Sequence, residues 1–303
     1  MWENSLFYSM KDAMRERFGT RVVKYPIDGG YDCPGRRAGK PCAFCGDAGA
    51  GEWTCAGSLA EQVQHARNLM RKWGDAPWIA YFQNRCGTFA DAKTLARQYE
   101  EVLALGAVGI RVATRADLLP DAICDLFEAM AKRTYFAVEL GLETVRDRTL
   151  HRIDRGMDHR TFHEGAMKLR RRGIPVIVHV LYGLPGESEE DMLATASYVA
   201  AECFAGVKFH GLYIDRTSRL GALYEHAPWA LMTQEAYAKL VAESIARLSP
   251  ETVVERLTAD PRRIDLIAPS WATDKRRTRA MIMNEMRARG WTQASFYGKE
   301  SSL

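Results

Sequence analysis

The stretch Arg21-Val22-Val23-Lys24-Tyr25-Pro26-Ile27 runs into Gly29-Gly30-Tyr31-Asp32-Cys33-Pro34 and closes on Cys42-Ala43-Phe44-Cys45. A short β-branched and aromatic run followed by a Gly/Pro-rich loop reads as a strand that ends in a turn. Three thiols, spaced C-x8-C-x2-C, then fall at the strand's carboxyl end. Soft thiolates on such a loop select zinc or an iron-sulfur cluster, and a two-residue gap lets neighbouring sulfurs converge on one centre. A cubane held by only three thiolates keeps one iron open to a further ligand. Two other readings stand beside this one: a zinc ribbon completed by Cys55, and simple buried thiols.

Further along the chain, similar branched and aromatic runs alternate with stretches of helical period. They predict strands over 21–27, 77–83, 108–114, 135–141, 175–183, 206–214 and 252–258. Between them helices are predicted over 58–73, 90–105, 119–132, 158–172, 188–202 and 233–248. Ser58, with Glu61 three residues on, forms a capping box, whereas Thr233, followed by Ala236, is a cap without that partner. Strands separated by helical crossovers pair in parallel with right-handed connections. The expectation is an α/β fold, either a (β/α) barrel or a doubly wound sheet, with ligands at the carboxyl ends of the strands. No Ser/Gly linker or low-complexity tract cuts the chain, so residues 1–303 are expected to form one domain.

Composition narrows the class. With 303 residues, 47% hydrophobic and 26% charged, the chain is neither disordered nor collagen-like. A protein of this length buries a sizeable core without staples, so its seven cysteines are not needed as a disulfide framework. The start, Met1-Trp2-Glu3-Asn4-Ser5, has no basic and apolar leader pattern, and the longest apolar stretch, 174–185, is too short for a bilayer. A reducing, cytoplasmic setting without membrane contact is expected. The net charge of +4 permits an anionic partner without demanding one.

The cysteine loop resembles that of the radical S-adenosylmethionine (SAM) superfamily, whose usual spacing is C-x3-C-x2-C. A longer first gap is familiar from the catalytic subunit of Elongator and from stand-alone bacterial relatives that lack its acetyltransferase domain. Later strand ends resemble the superfamily in order: Cys86-Gly87-Thr88-Phe89 after Gln83, then Thr114-Arg115-Ala116-Asp117, then Glu139-Leu140-Gly141-Leu142-Glu143. Next come Leu150-His151-Arg152-Ile153-Asp154-Arg155-Gly156-Met157, then His179-Val180-Leu181-Tyr182-Gly183-Leu184-Pro185-Gly186. The likeness covers about residues 18–271 and implies a partial (β/α)6 TIM-like barrel with short N-terminal and C-terminal helical extensions, the latter over 272–303.

The resemblance also implies roles. Cys33, Cys42 and Cys45 would hold a [4Fe-4S] cluster. Phe44 would lie beside the adenine of SAM, Arg155 would pair with the methionine carboxylate, and Glu143 would contact the ribose hydroxyls. Gln83, Gly87, Thr88, Arg115, Glu139, His179, Gly183 and Leu184 complete the implied SAM contacts. Reductive cleavage of SAM to a 5′-deoxyadenosyl radical would then start hydrogen abstraction. Lys208 and His210, alternating along one face of their strand, are the expected substrate-side groups. A flavodoxin or ferredoxin would supply the electron, with Arg36, Arg37 and Lys40 as candidate contacts. By analogy with Elongator and its relatives the substrate would be a tRNA wobble uridine, met by the basic groups at 170–172, 262–263 and 275–279. The alternatives are a small metabolite or peptide, or a zinc-stabilised nucleic-acid-binding module without catalysis. Cys55, Cys86, Cys124 and Cys203 are scattered, so no second iron-sulfur cluster is expected.

Overall fold

The computed structural model describes residues 6–49 and 53–298. Nine strands are present among them: β1 (Val23–Ile27), β2 (Trp78–Phe82), β3 (Gly109–Thr114), β4 (Tyr135–Glu143), β5 (Val176–Tyr182), β6 (Gly206–Gly211), β7 (Ile214–Asp215), β8 (Val253–Arg256) and β9 (Leu266–Ala268). Seven form one sheet in the order β1-β2-β3-β4-β5-β6-β8, every neighbour parallel. Of the barrel and the doubly wound sheet allowed by the alternation, the partial barrel implied by the resemblance is present, with β8 as a seventh strand beyond its six. The sheet curls far enough for Lys24 on β1 to reach Glu255 on β8, Nζ to Oε2 3.3 Å, across its open side.

A parallel sheet covered by crossover helices hides its strands, and every residue of β2 is buried. The main core lies between sheet and helices, with Tyr25, Ala80, Ile110, Val138, Val178 and Phe209 meeting Val63, Leu95, Tyr99, Phe127 and Phe162. The opposite, concave face carries the charged side chains. Two predicted boundaries move. The helix predicted over 58–73 is α-helical only over Leu59–Leu69 and ends in the 3-10 turn Arg71–Trp73 before Gly74 at φ +56. The strand predicted over 206–214 stops at Gly211, where a Cβ would already lie 3.0 Å from Trp271 and 3.2 Å from Tyr237. The chain then leaves the sheet, and β7 pairs antiparallel with β9.

Ser58 makes its capping box with Glu61, and Thr233 caps Ala236 N–H alone. The flanking extensions are the helices Met10–Phe18 and Lys275–Ala288; the latter buries Ile282 and Met286. Gln234 donates to Thr278 across that packing at 2.9 Å. No described helix is long and apolar enough to cross a membrane.

Candidate active site

At the carboxyl ends of the strands lies a cavity of about 290 Å³. The cysteine loop forms one wall. Cys33 is the N-cap of the short helix Pro34–Arg37, whose first residue is a proline, and Arg37 N–H closes the turn on Cys33 O at 3.0 Å. The two-residue gap makes a second tight turn, Cys45 N–H to Cys42 O at 2.9 Å. Ala43 N–H binds Ile153 O at 2.8 Å, which ties this loop to the segment that carries Arg155. Cys33, Cys42, Cys45 and Phe44 all line the cavity. A hydrogen bond from Cys86, helped by the backbone N–H groups of Gly35 and Arg36, outweighs burial and pulls the Cys33 thiol down to about 5. Thiolate is the form that binds iron. Among the described residues no three Cys, His, Asp or Glu side chains converge on one ion. The thiolates of a cubane each hold a different iron and need no shared point. Cys55 does not line the cavity.

Arg155 faces the cysteines. Its Nη2 donates to Gly141 O at 2.8 Å and lies 3.7 Å from Glu143, while Nη1 comes within 3.9 Å of Cys42 Sγ. Its Nε is buried without a hydrogen-bond partner. A guanidinium only 5% exposed with an unfilled donor beside the cluster loop fits a carboxylate ligand such as that of SAM. Burial raises the Glu143 carboxyl against the pull of Arg155 and Arg115. Glu143 reaches this position through a bulge in β4 and a left-handed backbone, φ +64. Arg115 lines the cavity, but its donors are engaged with Asp117 (2.8 and 2.7 Å), Arg155 O (2.6 Å) and Gly156 O (3.1 Å). It holds the backbone that presents Arg155.

The floor is a charged network. Glu139 is fully buried, and its Oε2 accepts from Tyr81 OH at 2.5 Å, His179 Nε2 at 2.8 Å and Lys208 Nζ. Its Oε1 lies 3.2 Å from Arg111, which also pairs with Glu255 at 2.5 Å. Burial works against the Glu139 anion, yet Lys208, Lys24 and His179 hold its carboxyl well below the usual range. Burial, then the charge of Lys208, lowers His179 to about 4, so its ring is neutral at neutral pH. An ionised carboxylate only accepts, which assigns the ring proton to Nε2. Lys208 and His210 both line the cavity, the face expected of them, and burial likewise pushes His210 far down.

Gln83, Glu139, Glu143 and His179 also line the cavity, whereas Gly87, Thr88, Gly183 and Leu184 do not. A Cβ on Gly87 would lie 2.7 Å from Val112 and 2.8 Å from Ala113 O, so that glycine serves a close approach to β3. Thr88 Oγ1 pairs with Thr114 Oγ1 at 2.5 Å, Gly183 N–H points at Met192 Sδ, and Leu184 belongs to an apolar cluster. Lys24, Tyr81, Arg111, Glu255 and Arg256 carry no role in the sequence reading, and Cys86 enters it only as part of the segment after Gln83 and as a scattered thiol. For the charged ones the available signal was one or two charges within an otherwise apolar strand, repeated on β1, β3, β4, β6 and β8. A wider groove of about 950 Å³ runs outside the barrel past Arg37, Phe89, Leu119 and Lys168, but none of the three loop cysteines lines it.

Residues 32–199 match the model of the Radical SAM superfamily, and residues 204–288 match the Radical_SAM C-terminal domain. YtqA of Bacillus subtilis (strain 168) is 37% identical over 309 residues, which span 98% of this chain and 95% of YtqA. YhcC of Escherichia coli (strain K12) is 34% identical over 270 residues, 86% of each chain. The archaeal Methanocaldococcus infernus Elp3 with N-terminus deletion shares the fold with TM-score 0.68 at 12% identity, over 93% of this chain and 68% of its own. SuiB of Streptococcus suis bound to SAM does so with TM-score 0.51 at 12% identity, over 82% of this chain and 54% of SuiB. Enzymes of this superfamily use a [4Fe-4S] cluster together with SAM. On the extent of these matches, the chain belongs to the radical SAM superfamily.

Proposed function

We infer that this radical SAM enzyme modifies a tRNA wobble uridine, with the base held above the cysteine loop. The observation that carries the reading is the single cavity on which the three cysteines, the unfilled donor of Arg155 and the rim residue Trp53 all open. When bound, the cluster and SAM supply one-electron chemistry that starts hydrogen abstraction from the substrate. The chain's own residues set the geometry. Cys33, Cys42 and Cys45 would hold the cluster, and Arg155 would orient the methionine carboxylate beside it. Phe44, packed against an apolar cluster next to the cysteines, gives a flat surface for the adenine. Glu143 would accept hydrogen bonds from the ribose hydroxyls, and the buried Glu139 network fixes Tyr81, His179 and Lys208 along the floor. Walls of this kind also keep bulk water from the reacting groups.

Trp53 is 46% exposed at the rim, a surface on which an unstacked base can lie. Enzymes of the superfamily need an electron donor, and a flavodoxin or ferredoxin is proposed here. Of the basic residues near the cluster, Lys40 is exposed, Arg36 is bound to Gly46 O, and Arg37 lies over the Phe89 ring at 5.3 Å. The deciding experiment is anaerobic reconstitution with dithionite, SAM and bulk tRNA, followed by nucleoside mass spectrometry. A new wobble-position nucleoside together with 5′-deoxyadenosine supports the reading; 5′-deoxyadenosine without any altered nucleoside removes tRNA as substrate.

A second reading, a small metabolite or peptide, is favoured by the pairing of the basic groups. Arg170 pairs with Glu202, Arg172 with Asp121 and Asp125, Lys275 with Asp260, and Arg277 with Glu235. Cations spent in this way contribute less to a polyanion.

A further inference from the structure

Six cations line the cavity, and five have a carboxylate partner: Arg36 with Asp47, Arg85 with Asp32, Arg115 with Asp117, Arg155 with Glu143, and Lys208 with Glu139. The sixth, Arg256, has no ion pair or side-chain hydrogen bond among the described residues. It is brought there by a register shift between β6 and β8, where Val207 pairs with Val254 and Lys208 with Arg256, leaving Glu255 as the extra residue. Register partners on neighbouring strands stand on one face, so Arg256 projects beside Lys208. Behind them Glu139 and Glu255 already face three cations, Lys24, Arg111 and Lys208. Arg256 makes four against two. Asp260, also on the cavity wall, is taken by Lys275 at 2.6 Å. Arg256 is half-buried, and excess positive charge partly withdrawn from water is costly unless a counter-charge arrives.

A second group points the same way. His210 Nε2 is buried in this corner without a hydrogen-bond partner, its ring 5.2 Å from that of His179. With its ring proton on Nε2, His210 would offer this corner a buried donor that lacks an acceptor. Arg155, suited to the SAM carboxylate, lies instead against Cys42 of the cysteine loop at 3.9 Å. The cavity therefore has two places for negative charge. We propose that the β6–β8 corner, Arg256 with His210, binds an oxyanion group of the substrate, a carboxylate or a phosphate. The proposal rests on reading this cavity as the substrate site.

The test uses the cluster-loaded, SAM-saturated protein without reductant, so that binding is read apart from turnover. Inorganic phosphate is titrated in one arm and carboxyl-labelled acetate in the other, at constant ionic strength, following 31P or 13C line broadening. At least one anion is expected to bind the wild type, with affinity at least about tenfold weaker in Arg256→Gln and partly kept in Arg256→Lys. The arm that responds identifies the oxyanion. Iron content and thermal melting report whether each variant folds. Should Arg256→Gln lose its iron, His210→Phe takes its place, with a loss of at least about threefold expected. No binding in either arm, or wild-type affinity in the folded variants, overturns the proposal. Lack of SAM cleavage on reduction would instead strike the functional reading and leave this measurement intact.

Discussion

Replacing Arg155 by leucine removes a guanidinium whose Nε has no protein partner and whose Nη2 is committed to Gly141 O at 2.8 Å. A charge-assisted bond to a carboxylate is worth about 1.5–3 kcal/mol, so SAM affinity should fall roughly 10–100-fold while iron content stays unchanged. Adding Glu143→Gln relieves the carboxylate left unpaired, and the double variant should melt closer to the wild type without regaining SAM affinity. Equal affinity in wild type and Arg155→Leu would remove the assigned role. Cys42→Ala, by contrast, should lose both iron and 5′-deoxyadenosine release, measured by iron assay and chromatography. His179 gives a pH signature. Its folded pKa of about 4 lies below the ordinary 6.5, because burial and then Lys208 disfavour the charged ring. Between those values the unfolded chain binds the extra proton, so stability is complete above 6.5 and falls as pH drops toward 4. The slope is about 1.4 kcal/mol per pH unit for one proton. In His179→Gln this slope should flatten by that amount, as read by urea unfolding at about pH 7 and about pH 5.5.

Two irregular strands carry the site. In β4 the shift between Gly141 and Glu143 turns the Glu143 carboxylate toward Arg155, and Gly141 leaves room for both. A Cβ there would lie 2.5 Å from Glu143 Oε1 and 2.7 Å from Arg155 Nη2. Gly141→Ala should therefore cost about 1–3 kcal/mol of stability and weaken SAM binding about tenfold or more, with iron retained; unchanged SAM affinity in calorimetry would refute this account. The same element explains what the sequence shows and hides. The cysteine spacing, the Ser58 and Thr233 caps and the alternation of strand and helix are local patterns, readable from neighbours a few residues apart. Glu255 and Arg256 are consecutive, and strict alternation allows only one of them to face inward; the β6–β8 bulge turns both to the interior. Arg111 finds Glu255 144 residues away, and Lys24 finds it 231 away. Such pairs depend on closure of the barrel, which no local pattern encodes. Gly87 and Gly183 lie off the cavity wall for different reasons: Gly87 allows a close approach to β3, and Gly183 takes a left-handed turn at φ +88.

For the whole molecule, the net charge of +4 understates how strongly the basic side chains are already engaged. In the three basic groups Arg170, Arg172, Arg262, Lys275 and Arg277 face carboxylates, while Arg171, Arg263, Arg276 and Arg279 have no ion pair among the described residues. Counterion release gives a slope of log affinity against log salt of about −0.7 to −0.9 for each phosphate neutralised. Four unpaired arginines therefore predict a slope of about −3 to −4 for tRNA, shallow for a polyanion binder. Filter binding of bulk tRNA across a salt series measures it. Replacing Arg171, Arg263, Arg276 and Arg279 together by glutamine should bring the slope close to zero and leave iron content unaltered. A slope steeper than about −5 in the wild type would mean that the paired arginines release their carboxylates to meet phosphate. A quadruple variant that keeps the wild-type slope would place the tRNA contact on another face, and no binding at low salt would favour the small-substrate reading.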